Sequence, residues 1–319
     1  MNHCLRISGV VAALVLLLTG LWHPQTALAA TLAGALVWVN LALGCLLLGY
    51  ICPLINGAWQ PLLAPGVAMG SAWVPWIVPM LLPMLLGVHW LYPWAQAPAP
   101  GFRGVWLAPA CFVLRTLLYG AAWWGLQRQV LRPAPGLIAL VLLSSLAAID
   151  WLLSLQVGLD SSVFGLLLIG RQLLGALALA GLVRRDSSRA NVLRGLLVAA
   201  LALWLYLQFI QFLITDWTRL PAESHWYHLR GEGVWAWLSA LLFGLQLGCL
   251  VLLASPWGLR PALLRGVCVV IVLDSAVESL WLVLPGMGDG LALGLGVLGV
   301  WAYATLAGVW LWPRGASNG

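Results

Sequence analysis

The sequence predicts an all-α, polytopic membrane protein of about ten transmembrane helices, forming a single integral membrane domain over residues 1–319. Three observations predict it. Of the 319 residues, 63% are hydrophobic and 8% are charged, with a mean hydropathy of +0.99. Soluble domains carry about 25% charged residues, and a chain this apolar finds enough cover only in a bilayer. Apolar runs of about 20 residues, the length that crosses a hydrocarbon core of about 30 Å, recur from end to end. Tryptophan is frequent at 21 residues, and many stand at the ends of those runs, as at Trp90, Trp94, Trp217, Trp226, Trp235, Trp310 and Trp312. That is the pattern of aromatic belts at a membrane–water interface.

The first span is placed at 6–22. Arg6, the apolar run and Ala27-Leu28-Ala29 also read as a signal peptide with an A-x-A site, whose cleavage would leave nine spans. The second span covers 32–54. The third, 73–94, holds Pro75, Pro79 and Pro83. Interior prolines free backbone carbonyls and kink a helix, which a membrane tolerates where neighbours satisfy those groups. The next four spans are placed at 105–126, 136–156, 163–183 and 193–215. The longest outer loop, 216–232, reads DWTRLPAESHWYHLRGE and is expected to fold as an amphipathic segment. The last three spans are placed at 234–254, 263–284 and 291–312. Gly244 with Gly248, and Gly290 with Gly294, are small-xxx-small pairs that would permit close helix contact.

Charge placement orients these spans. The net charge is +6, and all fifteen basic residues are arginine. With the N-terminus inside, Arg6, Arg128, Arg132, Arg184, Arg185, Arg189, Arg194, Arg260, Arg265 and Arg314 lie inside, while Arg103, Arg219 and Arg230 lie outside. This bias follows the positive-inside rule and puts both termini in the cytoplasm. The basic charge is thereby read as a topology signal rather than a nucleic-acid footprint.

Arg115 and Arg171 remain within spans. Charges inside a membrane are costly and mark functional candidates. Asp150 lies in the span after Arg115, and the short loop between them makes an Arg115–Asp150 pair an expectation, either as a buried structural ion pair or as part of a proton path. Asp274 and Glu278 stand at i, i+4, on one helix face about 6 Å apart. Two carboxylates that close in a low dielectric do not both ionise, so the pair can hold or relay a proton; alternatively Arg171 neutralises it as structural glue. Gln208 and Gln211 complete the buried-polar candidates. His89, beside Tyr92 and Trp94, reads as an interfacial anchor. Asp216, Glu223, His225 and His228 are the partner-docking candidates of the outer loop.

No catalytic or metal-binding motif is present. Cys4, Cys45, Cys52, Cys111, Cys249 and Cys268 form no C-x-x-C or C-x-x-C-H and read as small buried hydrophobes. No two histidines sit mid-membrane to hold a b-type haem.

Four segments resemble the integral membrane F subunit of alternative complex III, a bacterial quinol:cytochrome c oxidoreductase; that subunit belongs to the NrfD-like membrane proteins. They are Pro75–Pro83 followed by LLGVHWLYPW; WLAPACFVLRTLLYGAAWW with Arg115; AAIDWLLSLQVGLDSSVFGLLL with Asp150, Trp151, Ser154, Leu155, Ser162, Phe164 and Gly165; and LWLYLQFIQFLITDWTRLPAESHWYHLR with Leu220, Pro221 and Glu223. They occur in family order over about residues 70–230. The chain departs from the pattern in its trimmed loops and in Val157-Gly158-Leu159, where the family has His-Trp.

The resemblance implies two four-helix bundles, 31–157 and 163–284, with flanking helices 6–22 and 291–312. It implies a non-haem subunit of a quinol-oxidising respiratory complex in the bacterial inner membrane, scaffolding and proton-conducting, with no cofactor of its own. Haem c and iron–sulfur centres would belong to partner subunits, beside a NrfD-like sister, with quinol nearby. The alternatives left open are a stand-alone transporter and an assembly factor for a terminal oxidase.

Overall fold

The computed structural model describes residues 2–55, 57, 59–97, 100–156, 161–184, 189–218 and 221–311, with the side chains of 2, 3, 216–218, 221–223, 289 and 307–311 outside that description. Among the described residues there is no strand. The protein is an all-α, multi-pass membrane protein, and among the described residues seven helices are long and apolar enough to cross a membrane.

The chain starts with α1 (Asn2–Gly20) and α2 (Pro24–Ile51). Ala27 and Ala29 are buried near the start of α2, so the tripeptide that reads as a cleavage site is helical and packed. The third span begins earlier than the sequence predicts. It runs as α3 (Gln60–Ser71), a 3₁₀ turn at Val74–Trp76, α4 (Ile77–Leu86) and the short α5 (Val88–Leu91). Pro75 occupies the turn, where its missing N–H costs nothing. After α6 (Phe102–Trp106) come α7 (Pro109–Gln127), α8 (Pro133–Trp151), α9 (Phe164–Val183) and α10 (Ala190–Thr218). The 216–232 segment holds the end of α10 and α11 (Pro221–Arg230). The chain continues through α12 (Gly233–Ala254), α13 (Pro261–Val283) and α14 (Asp289–Leu311). Among the described residues the apolar stretches of α1, Cys4–Gly20, and of α14, Gly290–Leu306, are shorter than those of the seven. Helix α7, which carries Arg115, Tyr119, Trp123 and Trp124, falls outside the seven.

Helices α2, α3–α4, α7 and α8 pack around one another, and so do α9, α10, α12 and α13; α2 lies against α9 and α13, and α1 and α14 pack on α2. Several crossings need glycine, two of them on α2. A Cβ on Gly44 would overlap the Gln172 carbonyl of α9, and one on Gly34 would meet the Gly299 backbone of α14. The pairs singled out in the sequence do not serve this purpose: a Cβ at Gly244, Gly248, Gly290 or Gly294 would meet nothing within 4 Å. Close approach occurs where helices cross deep in the fold, and these four glycines lie away from such crossings.

Candidate functional site

Two buried charge clusters occupy the bundle. The first joins α6, α7 and α8. Arg115 and Tyr119 share a face of α7 because they are four residues apart. Asp150, 1% exposed, accepts from Arg115 Nε at 2.8 Å and Nη2 at 3.1 Å, from Tyr119 Oη at 2.8 Å and from Trp106 Nε1 at 3.1 Å. Arg115 Nη1 donates to the Trp106 carbonyl at 2.5 Å, and its guanidinium lies 4.2 Å from the Trp106 ring centre. The network extends outward: Ser154 Oγ donates to the Asp150 carbonyl, Trp151 Nε1 to Thr116 Oγ1 at 3.1 Å, and Tyr92 Oη to the Trp151 carbonyl at 2.9 Å. Both carboxylate oxygens of Asp150 accept two bonds each. A carboxylate so saturated is a structural clamp, in the bidentate geometry that arginine favours.

The second cluster is different. Arg171 of α9, 3% exposed, lies 3.0 Å from Asp274 Oδ2 through Nη2 and 2.5 Å from Glu278 Oε2 through Nε. Gln246 of α12 donates to Asp274 Oδ2 at 3.0 Å. Both acids of α13 therefore face the bundle interior. One cation serves two carboxylates, and its contacts are ion pairs by distance without aligned hydrogen-bond geometry. Asp274 Oδ1 and Arg171 Nη1 are buried with no hydrogen-bond partner. The Trp204 ring lies 5.7 Å from the guanidinium. From the next position of α9, Gln172 donates to Asn40 of α2 at 3.4 Å.

A narrow cavity of about 20 Å³ touches this cluster, with Arg171, Glu278, Gln208, Gln211 and Tyr227 in its wall; it has room for about one water-sized molecule. Gln211 extends the polar line, accepting from Ser161 Oγ at 2.7 Å and donating to Thr215 Oγ1 at 3.3 Å. The structure thus brings Arg171, Gln208, Gln211, Asp274 and Glu278 together and keeps Arg115 and Asp150 apart from them in the clamp.

The interfacial residues join neither cluster. His89 is exposed at the end of the third span. His225 is exposed beside a cavity of about 220 Å³ that Gln25, Gln156 and Pro285 also line. His228 pairs with Glu232 at 3.1 Å on the surface. The side chains of Asp216 and Glu223 lie outside the described residues. Among the described residues no group of three or more His, Cys, Asp or Glu could hold a metal ion.

Two arginines read as topology charges turn out to cap helices. Arg230 is 1% exposed and donates to the carbonyls of Trp226, Trp281 and Leu282 at 2.9–3.2 Å and to Gln156 Oε1 at 3.2 Å. Its guanidinium sits 3.5 Å from the Trp226 ring centre and 5.0 Å from that of Trp281. Trp281 and Leu282 lie in the last turn of α13, where free carbonyls and the negative dipole end favour a cation. Burial pushes the Arg230 pKa well below its ordinary value, and the Tyr227 hydroxyl acts in the opposite sense. Arg194 does the same for α12, donating to the carbonyls of Leu253 at 2.5 Å and Ala254 at 3.0 Å. The sequence signal for either cap is weak, since a cation near a helix end also satisfies the positive-inside count.

Fold and clusters define the class: a multi-pass, all-α membrane protein with one saturated and one unbalanced buried charge cluster. Compared with models of known protein families the chain matches none, and it matches no curated protein.

Proposed function

We propose that the protein is a membrane subunit of a bacterial quinol:cytochrome c oxidoreductase-like complex, which it scaffolds and in which it holds an exchangeable proton at the Arg171–Asp274–Glu278 cluster. The observation that carries the proton role is the imbalance of charge: one buried guanidinium between two buried carboxylates, against a narrow cavity lined by Gln208 and Gln211. In a low dielectric such a set lowers its net charge by sharing a proton. The saturated Asp150 clamp has no such imbalance, and its role is to hold α6, α7 and α8.

The complex reading is supported by the four ordered segments that resemble the F subunit of alternative complex III. Their residues Tyr92, Arg115, Asp150, Trp151 and Ser154 interlock in one network, which gives the shared pattern a physical reason. In this reading the arginine-rich end faces the cytoplasm, and α11 with His225 and His228 docks partners at the opposite face of the bacterial inner membrane. The chain carries no cofactor, and electrons pass through haem c and iron–sulfur centres of other subunits.

The test is isolation of the tagged protein from its native membrane in mild detergent, with haem spectra and mass spectrometry of the co-purifying chains. The reading predicts stoichiometric c-type cytochrome and iron–sulfur subunits. A lone, haem-free protein would contradict it and make transport the working reading, to which the broken third span is suited.

A further inference from the structure

At the arginine-rich end, α2, α3, the end of α7 and the start of α8 enclose a cavity of about 390 Å³, within the range of small-molecule sites. It grades from apolar to polar. Cys45, Leu46 and Leu126 in its wall are buried, whereas Gln129 and Arg132 are exposed.

Four features specify an occupant. Gln127 lines the cavity, and its Oε1 is buried with no hydrogen-bond partner; it calls for a donor such as a hydroxyl. Arg132 supplies positive charge, and among the described residues no acidic side chain lines the cavity. Helix α8 starts in the same wall at Pro133 with no acid in its first turn, which adds the positive end of its dipole. The adjoining turn presents Val130 and Leu131, 73% and 41% exposed, as apolar surface suited to lipid.

We propose that this cavity binds the headgroup and upper chain of an anionic phospholipid with a hydroxylated headgroup, of the phosphatidylglycerol type. The phosphate pairs with Arg132, the headgroup hydroxyl donates to Gln127 Oε1, and the acyl chain lies against Leu46 and Leu126. This site is separate from the charge cluster and does not depend on the role proposed for it.

The test is the thermal stability of the full-length, delipidated protein in detergent, measured with phosphatidylglycerol, phosphatidylcholine or glycerol phosphate added. The expected result is a rise in Tm with phosphatidylglycerol alone. Arg132→Gln is expected to weaken that response by about tenfold or more in lipid concentration. Gly49→Leu is expected to abolish it by filling the cavity, since a side chain there starts with only Val67 nearby, at 3.4 Å. Arg103→Gln, at the opposite end, is expected to leave it unchanged. An equal response to phosphatidylcholine, a response to glycerol phosphate without chains, or an undiminished response in both cavity variants would overturn the proposal.

Discussion

Arg171 and Glu278 meet at 2.5 Å between α9 and α13, and the same guanidinium lies 3.0 Å from Asp274 one turn away. A single arginine thus stands between two acids, all three at most 3% exposed. Removing the cation leaves the two buried acids without a counter-charge. Arg171→Met is expected to destabilise the protein by about 3–5 kcal/mol, and the further changes Asp274→Asn and Glu278→Gln to restore most of that loss. Thermal unfolding of the single and triple variants in one detergent checks this; a triple variant no more stable than the single one would contradict it.

The clamp predicts a different pattern. Arg115→Leu removes two of the four hydrogen bonds that Asp150 accepts and is expected to cost about 3–5 kcal/mol. Tyr119→Phe removes one neutral bond and is expected to cost about 1 kcal/mol. The ratio of these losses, read from unfolding in detergent, tests whether the ion pair dominates the knot.

Arg230 is held by four acceptors and two indole faces, so shape matters as well as charge. Arg230→Lys keeps the charge but loses the planar stacking and the fork of donors. It is expected to loosen the end of α13 by about 2 kcal/mol, visible as faster hydrogen exchange at residues 280–284. Exchange unchanged from the parent protein would show that the cap is dispensable.

The two sets of glycines give a packing contrast. Gly44→Ala places a methyl group on the Gln172 backbone and is expected to cost about 1–3 kcal/mol through overpacking. Gly244→Ala meets nothing and is expected to be neutral or slightly stabilising, because alanine favours a helix over glycine. Equal losses at both positions would contradict the packing described here.

Much of this was legible in the sequence because membrane folding obeys strong one-dimensional rules. Span length and arginine placement are local, so the helical segments and the odd charges within them stand out. The i, i+4 spacing of Asp274 and Glu278 put both acids on one face, and the short α7–α8 loop brought Arg115 to Asp150. Partners distant in the chain were harder to see. Gln246 reaches Asp274 from a neighbouring helix, and Trp106, which the sequence places inside the 105–126 span, reaches Asp150 from a separate short helix. Arg194 and Arg230 were hidden because a capping cation and a topology cation look alike in one dimension. The third span starts earlier than expected because Gln60, Pro61 and Pro65 look like loop residues; Pro61 suits the first helical turn, and Pro65 lies inside the helix.

The most direct measurement of the proton-holding cluster is infrared spectroscopy of the protein in lipid at neutral pH, with Asp274→Asn and Glu278→Gln variants for assignment. The charge imbalance around Arg171 predicts a protonated-carboxyl C=O band that shifts in deuterium oxide and disappears in at least one of the two variants. A spectrum with no such band, identical in both variants, would show both acids fully ionised and contradict the proposed proton site.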